Sequence, residues 1–213
     1  MTVIPVINCS DYKCVKSRVE VLKSLQTSWV KFDISDGTLS NYKTWNKPAQ
    51  LLDIDNTFFS IWNVSVHFML EEPLDDIKSW LECGAKRIIT HVESNSDILE
   101  IKTLCDSFDA TLVLSKTPAS PIDKFAPYKD YITDLQLLAV SPGPSGQKLQ
   151  SKTIQEIITL RQLYSDVKIE IDGGINEETA KQVKNAGADI IVTSSYIFDS
   201  DNPKKSFNKL QSI

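Results

Sequence analysis

Short runs rich in Val and Ile alternate along this chain with amphipathic stretches of ten to fifteen residues, a rhythm that predicts strands joined by helices. The apolar runs place eight strands at about 3–8 (VIPVIN), 29–34 (WVKFDI), 62–69 (WNVSVHFM), 87–92 (RIITHV), 110–115 (ATLVLS), 133–140 (TDLQLLAV), 167–172 (VKIEID) and 189–193 (DIIVT). Helices are expected at about 11–25, 74–83, 96–107, 151–164, 177–186 and 203–211, with shorter ones near 48–53 and 121–128. Asn176 is a natural N-cap for the helix at 177–186, with Glu178 in its first turn and Gly187 closing it. Pro5 is read at the start of the first strand, and the prolines at 48, 73, 118, 121, 142, 144 and 203 are read in loops. Eight βα units without a break predict a single (β/α)8 TIM barrel over residues 1–213 as one domain.

Within that rhythm some strands carry polar residues on one side. Side chains alternate across a strand, so Lys31, Asp33 and Ser35 share one face of WVKFDIS while Val30, Phe32 and Ile34 share the other. Ser65, His67 and Met69 oppose Val64, Val66 and Phe68 in the third strand, and Glu170 and Asp172 oppose Ile169 and Ile171 in the seventh. His91 and Glu93 repeat the pattern in the fourth. A sheet wrapped by helices has no wet outer face, so these polar sides are expected to point into the barrel mouth, where such folds build their sites. Asp33 and Asp172 facing each other there would form a base and acid for proton transfer, and His67 would hydrogen-bond a substrate oxygen or bind a metal. Glycine-containing loops follow the last strands: SPGPSGQ at 141–147, DGGIN at 172–176 and TSSYIF at 193–198. Loops in these places commonly bind phosphate through backbone N–H groups.

Composition narrows the setting. The net charge of −5, with Lys scattered apart from the short pair Lys204 and Lys205, excludes the concentrated basic patch that nucleic acid requires. No run of 18 apolar residues predicts a membrane span, and MTVIPVINCSD lacks the basic start of a signal peptide. The four cysteines, Cys9, Cys14, Cys83 and Cys105, show neither C-x-x-C spacing nor a small-domain framework and are expected to be reduced thiols, which points to the cytoplasm.

The ordered motifs PVINCSD (5–11), WVKFDISDG (29–37), VHFML (66–70) followed by EEP, SPGPSGQK (141–148), EIDGGIN (170–176) and SSYIFDSDNP (194–203) resemble the ribulose-phosphate 3-epimerase family across essentially the whole chain. The resemblance implies proton transfer at C3 of a ketopentose phosphate between two Asp residues, on a divalent metal (Zn, Fe or Mn) held by two His and two Asp. It also implies a small-molecule sugar phosphate as partner and a homo-oligomer. Asp33 and Asp172 match the Asp pair and His67 one His, while Lys31 stands in place of the second His. A protonated Lys has no lone pair and repels a dication, so the expected metal set of Asp33, His67 and Asp172 is incomplete. Lys31 joins Asp33 and Asp172 as an expected catalytic residue, its ammonium stabilising an enediolate where the metal would have done so.

Val6, Ser35 and Leu138 also depart from the family pattern, Met69 remains, and GTLSN (37–41) is a reduced form of the family's loop. The expected phosphate and substrate contacts are His67, Met69, Gly143, Ser145, Gly146, Gly173, Gly174, Ser194 and Ser195. Pro144 removes one N–H donor from this group. Two other classes stand beside the epimerase reading. One is a different enzyme, a Schiff-base aldolase or a decarboxylase, although K-x-D-x-x-D here differs from the D-x-K-x-x-D of related decarboxylases. The other is a barrel that binds sugar phosphates without catalysis.

Overall fold

The computed structural model describes residues 1–213. Eight parallel strands close into a barrel in the order of the chain. They are β1 (Thr2–Ile7), β2 (Trp29–Ser35), β3 (Asn63–Met69), β4 (Arg87–His91), β5 (Thr111–Lys116), β6 (Asp134–Leu138), β7 (Lys168–Asp172) and β8 (Ile190–Thr193). The helices are α1 (Tyr12–Lys23), α2 (Leu51–Ile54), α3 (Phe58–Ile61), α4 (Leu74–Cys83), α5 (Ile98–Ser107), α6 (Lys152–Leu163), α7 (Glu177–Ala186), α8 (Ser195–Phe198) and α9 (Pro203–Gln211). A 3-10 segment, Ile122–Tyr128, replaces the helix between β5 and β6, where Pro127 inside the segment has no N–H to donate back to the preceding turn. The predicted (β/α)8 barrel is therefore the observed architecture. No helix is long and apolar enough to cross a membrane.

Local chemistry sets the boundaries. Asp11 caps α1 by accepting from the Cys14 N–H at 2.9 Å, and Asn176 caps α7 in a reciprocal box with Thr179. Gly187 ends α7 at φ +113°, as its place after the last turn predicts.

The outward faces of the strands meet the helices in one apolar layer of 46 buried residues. Phe32, Trp45, Phe58 and Trp80 pack there beneath β2 with their rings tilted against one another, and Asn46 satisfies the buried Trp80 indole at 2.8 Å. A second, smaller apolar cluster of Ile4, Val6, Ile190 and Val192 fills the barrel where β1 and β8 close it. The interior is thus apolar at the closing seam and polar over β2 to β7.

Two expectations need correction. Pro5 lies inside β1 rather than at its start. It is tolerated because β1 pairs with β8 through Pro5 and with β2 only from Val6 onward, so the missing N–H falls where the strand passes from one neighbour to the other. Cys9 and Cys14, expected as free thiols, form a disulfide; Cys83 and Cys105 are free. The turn from β1 into α1 brings their Cα atoms to 5.7 Å, a proximity that a linear spacing of five residues does not reveal.

Candidate active site

The parallel register sets Asp33 beside His67, Gln136 beside Glu170 and Leu138 beside Asp172. Because each of these residues sits at an inward position of its strand, the polar groups converge on one point near the C-terminal mouth. Lys31 Nζ lies 2.6 Å from Asp172 Oδ2, 3.2 Å from Glu170 Oε1 and 3.9 Å from Asp33 Oδ1. His67 Nδ1 is 3.3 Å from Asp172 Oδ2 and 3.5 Å from Asp33 Oδ1, distances of charge attraction rather than of good hydrogen bonds. Three side chains that the sequence reading did not single out complete the site. Asn8 Nδ2 donates to Asp33 Oδ2 at 3.1 Å, and Gln136 Nε2 donates to Glu170 at 2.9 Å and Asp172 at 3.2 Å. Arg87 pairs with Glu170 and with Asp134 beneath them. Gln136 and Asp134 did carry a signal, since D-L-Q-L puts both on one face of a strand. Asn8 carried none.

Neighbouring charges and hydrogen bonds, working against burial, decide most of the charge states. Removal from water is the largest influence on Lys31 and opposes its charge, yet Asp172, Glu170 and Asp33 together outweigh it and raise the pKa, so Lys31 is an ammonium. His67 is likewise raised: burial and Lys31 oppose its charge, and Asp172 and Asp33 overcome them. Burial pulls His91 the other way, below the ordinary histidine value. His67 Nε2 and His91 Nε2 lie 2.8 Å apart, so the charged His67 ring donates to the neutral His91, whose Nδ1–H then donates to Glu93 at 3.2 Å. Glu93 is lowered to about 2, its bonds with His91 and with the Thr117 N–H overcoming the burial that would raise it.

Asp172 and Glu170 are both held below the usual carboxylate range. Burial works against this in each, but Lys31 and His67 outweigh it for Asp172, and Arg87 and Lys31 for Glu170. Groups with depressed folded pKa values contribute stability above their unfolded values near 4, and that stability is lost as pH falls. The melting temperature is therefore expected to decline steadily from about pH 5 to pH 3 in circular dichroism. A melting temperature that is flat over this window would show that the cluster contributes nothing.

Above this cluster lies a cavity of about 1120 Å³, walled by Asp33, Asp172 and Met69 on one side and by the loops after β6, β7 and β8 on the other. Gly143, Ser145, Gly146, Gly173, Gly174, Ser194 and Ser195 all line it, so the expected phosphate loops share one space with the two carboxylates. Gly174 has φ +71°, and a Cβ there would stand 2.1 Å from the Leu149 backbone nitrogen; only glycine lets the two loops touch. Lys31 and His67 have no exposed surface and lie below the cavity floor, drawn down by Glu170 and by His91.

By distance alone, Asp33, His67 and Asp172 could hold a metal ion, since one donor atom from each lies within 4.8 Å of the others, and Asp33 Oδ1 and His67 Nδ1 have no hydrogen-bond partner. The charge does not fit. An ion bonded to Asp172 Oδ2 at about 2 Å would share that oxygen with an ammonium already 2.6 Å away, and no further His, Cys, Asp or Glu joins the group to offset the repulsion.

The profile of the ribulose-phosphate 3 epimerase family matches residues 2–198. The chain belongs to this family. The ribulose-phosphate 3-epimerase of Aquifex aeolicus is 33% identical over 221 residues, covering 98% of this chain and 95% of that protein. That of Chlamydia pneumoniae is 30% identical over 207 residues, covering 93% and 88%. Among solved structures, 3-hexulose-6-phosphate synthase from Salmonella typhimurium superposes with a TM-score of 0.73 at 13% identity, covering 100% of this chain and 97% of that one. KGPDC from Streptococcus mutans in complex with D-R5P gives 0.73 at 12%, covering 99% and 95%. These structural likenesses speak for the fold, and the sequence relatives for an epimerase-type enzyme.

Proposed function

We propose that this family member interconverts D-ribulose 5-phosphate and D-xylulose 5-phosphate by moving a proton at C3 between Asp172 and Asp33, without the family's metal. The observation that carries the reading is that both carboxylates wall the same cavity as the phosphate loops, with two buried cations beneath them. Asp172, held ionised, takes the proton from one face of C3, and the electron pair moves onto the C2 carbonyl oxygen to give an enediolate. Asp33, which enters this direction of the cycle protonated and whose Oδ1 accepts no hydrogen bond within the protein, gives its proton to the opposite face, so that the turnover ends with Asp172 protonated and Asp33 ionised. The reverse reaction exchanges the two roles. Lys31 acts through the carboxylates as a positioning residue, since it does not reach the cavity; its charge and that of His67 oppose the build-up of negative charge in a water-poor site. The phosphate rests on the backbone N–H groups around Gly143, Gly146, Gly173, Gly174 and Ser195.

A sugar phosphate is also what the D-R5P complex of the structural neighbour supports. No observation favours a Schiff base, which needs a neutral amine open to a ketose, whereas Lys31 is charged and enclosed. The test is an assay of purified protein on D-ribulose 5-phosphate, run after chelation and again with Zn²⁺, Fe²⁺ or Mn²⁺. Turnover that survives chelation and is not stimulated by the metals is expected. Turnover only with added metal would overturn the metal-free reading, and none under any condition would leave a non-catalytic binder.

A further inference from the structure

The lining of the cavity carries Asp33 and Asp172 against a single cation, Lys148, which is an unfavourable balance for a dianionic phosphate. A second cation stands just behind that lining. Arg18 reaches from α1 to the seam where β1 and β8 close the barrel. Its Nη1 donates to the Asn8 carbonyl at 3.0 Å and to Ser194 Oγ at 2.7 Å. Its guanidinium carbon lies 5.1 Å over the Phe198 ring, and its Nη2 is 3.7 Å from Asp199 Oδ1. Asp199 is 61% exposed and Arg18 only 15%, so solvent weakens the one ion pair that Arg18 makes.

The direction of the Ser194 bond matters. A hydroxyl that accepts from a guanidinium has its own proton left to donate, and Ser194 is a wall of the cavity beside Ser195. The charge on Arg18 polarises that hydroxyl toward whatever anion lies in front of it. The same guanidinium holds the carbonyl of Asn8, whose amide holds Asp33, so one side chain ties the phosphate wall to the carboxylate wall.

We propose that Arg18 is a positioning residue that makes the cavity selective for a phosphate dianion, acting through the hydroxyl of Ser194. The ligand class rests on the sugar-phosphate reading above, but not on epimerase turnover, so inorganic phosphate serves as the probe. In calorimetry on the full chain, Arg18→Met and Ser194→Ala each lose about 10- to 100-fold in phosphate affinity. Because one acts through the other, the double variant loses little more than the worse single one. Arg18→Lys, which keeps the charge and the aliphatic stem but loses the planar guanidinium that lies over the Phe198 ring, recovers part of the loss. In turnover, KM for ribulose 5-phosphate rises by more than kcat falls, whereas a purely structural role would lower thermal stability and kcat together.

If Arg18→Met does not fold, Arg18→Lys and Ser194→Ala carry the same comparison. A folded Arg18 variant that binds phosphate as tightly as the native chain, or losses that simply add in the double variant, would overturn the inference. A chain that binds phosphate with this coupling yet never epimerises ribulose 5-phosphate upholds it and removes the proposed function instead.

Discussion

Asp172→Asn is expected to lower kcat on D-ribulose 5-phosphate by about 10²- to 10⁴-fold, the usual contribution of a positioned acid or base. The substitution keeps the shape of the side chain but cannot accept a proton from carbon. Lys31 retains Glu170 and Asp33 as partners, so the fold should hold. Asp33→Asn should cost a similar factor, for the opposite face of the same carbon. The two variants differ from a general loss of structure in one measurable respect. Each keeps one base, so each should still exchange the C3 proton of one epimer with deuterium from solvent while failing to form the other epimer. Incubation in D₂O followed by NMR of the recovered sugar reads this directly. If either single variant retains a tenth of the native kcat, the two-carboxylate mechanism is wrong.

Lys31 carries the second large effect. Lys31→Met leaves Asp33, Glu170 and Asp172 in the interior with only Arg87 and His67 to offset them. Breaking a buried ion pair from one side typically costs about 3–5 kcal/mol, because an uncompensated charge stays behind. For a chain of this length that amounts to a fall of roughly 6–20 °C in melting temperature, measured by calorimetry at neutral pH. Lys31→His tests the other half of the argument. It would place a second imidazole beside Asp33, His67 and Asp172, and the variant should take up one equivalent of Zn²⁺ in elemental analysis while the native chain takes up none after dialysis. Native protein with a full equivalent of tightly held metal would overturn the view that the ammonium excludes it.

The alternation of WVKFDIS, NVSVHFM and KIEID was enough to place Lys31, Asp33, His67 and Asp172 on inward faces, because side-chain direction in a strand follows from the backbone alone. The βα rhythm and the glycines at 143, 146, 173 and 174 likewise made the barrel and its mouth legible, since each is a local requirement of hydrophobic period or backbone conformation.

What the linear chain could not show is which of those inward groups meet. The 2.6 Å contact of Lys31 with Asp172 spans 141 residues, and that of Arg18 with Ser194 spans 176; both exist only because the sheet closes on itself. The same closure brings Asn8 to Asp33 and encloses Lys31 beneath the cavity rather than within it. The charge states depend on it as well, for a carboxylate takes its pKa from burial and from neighbours that are remote in sequence. The pairing of Cys9 with Cys14 was settled by the path of one short turn, to which their spacing gave no clue. Sequence by itself determined which residues face inward, a matter of local geometry; tertiary structure decided what they face, because electrostatic and hydrogen-bonding partners are chosen by distance in space.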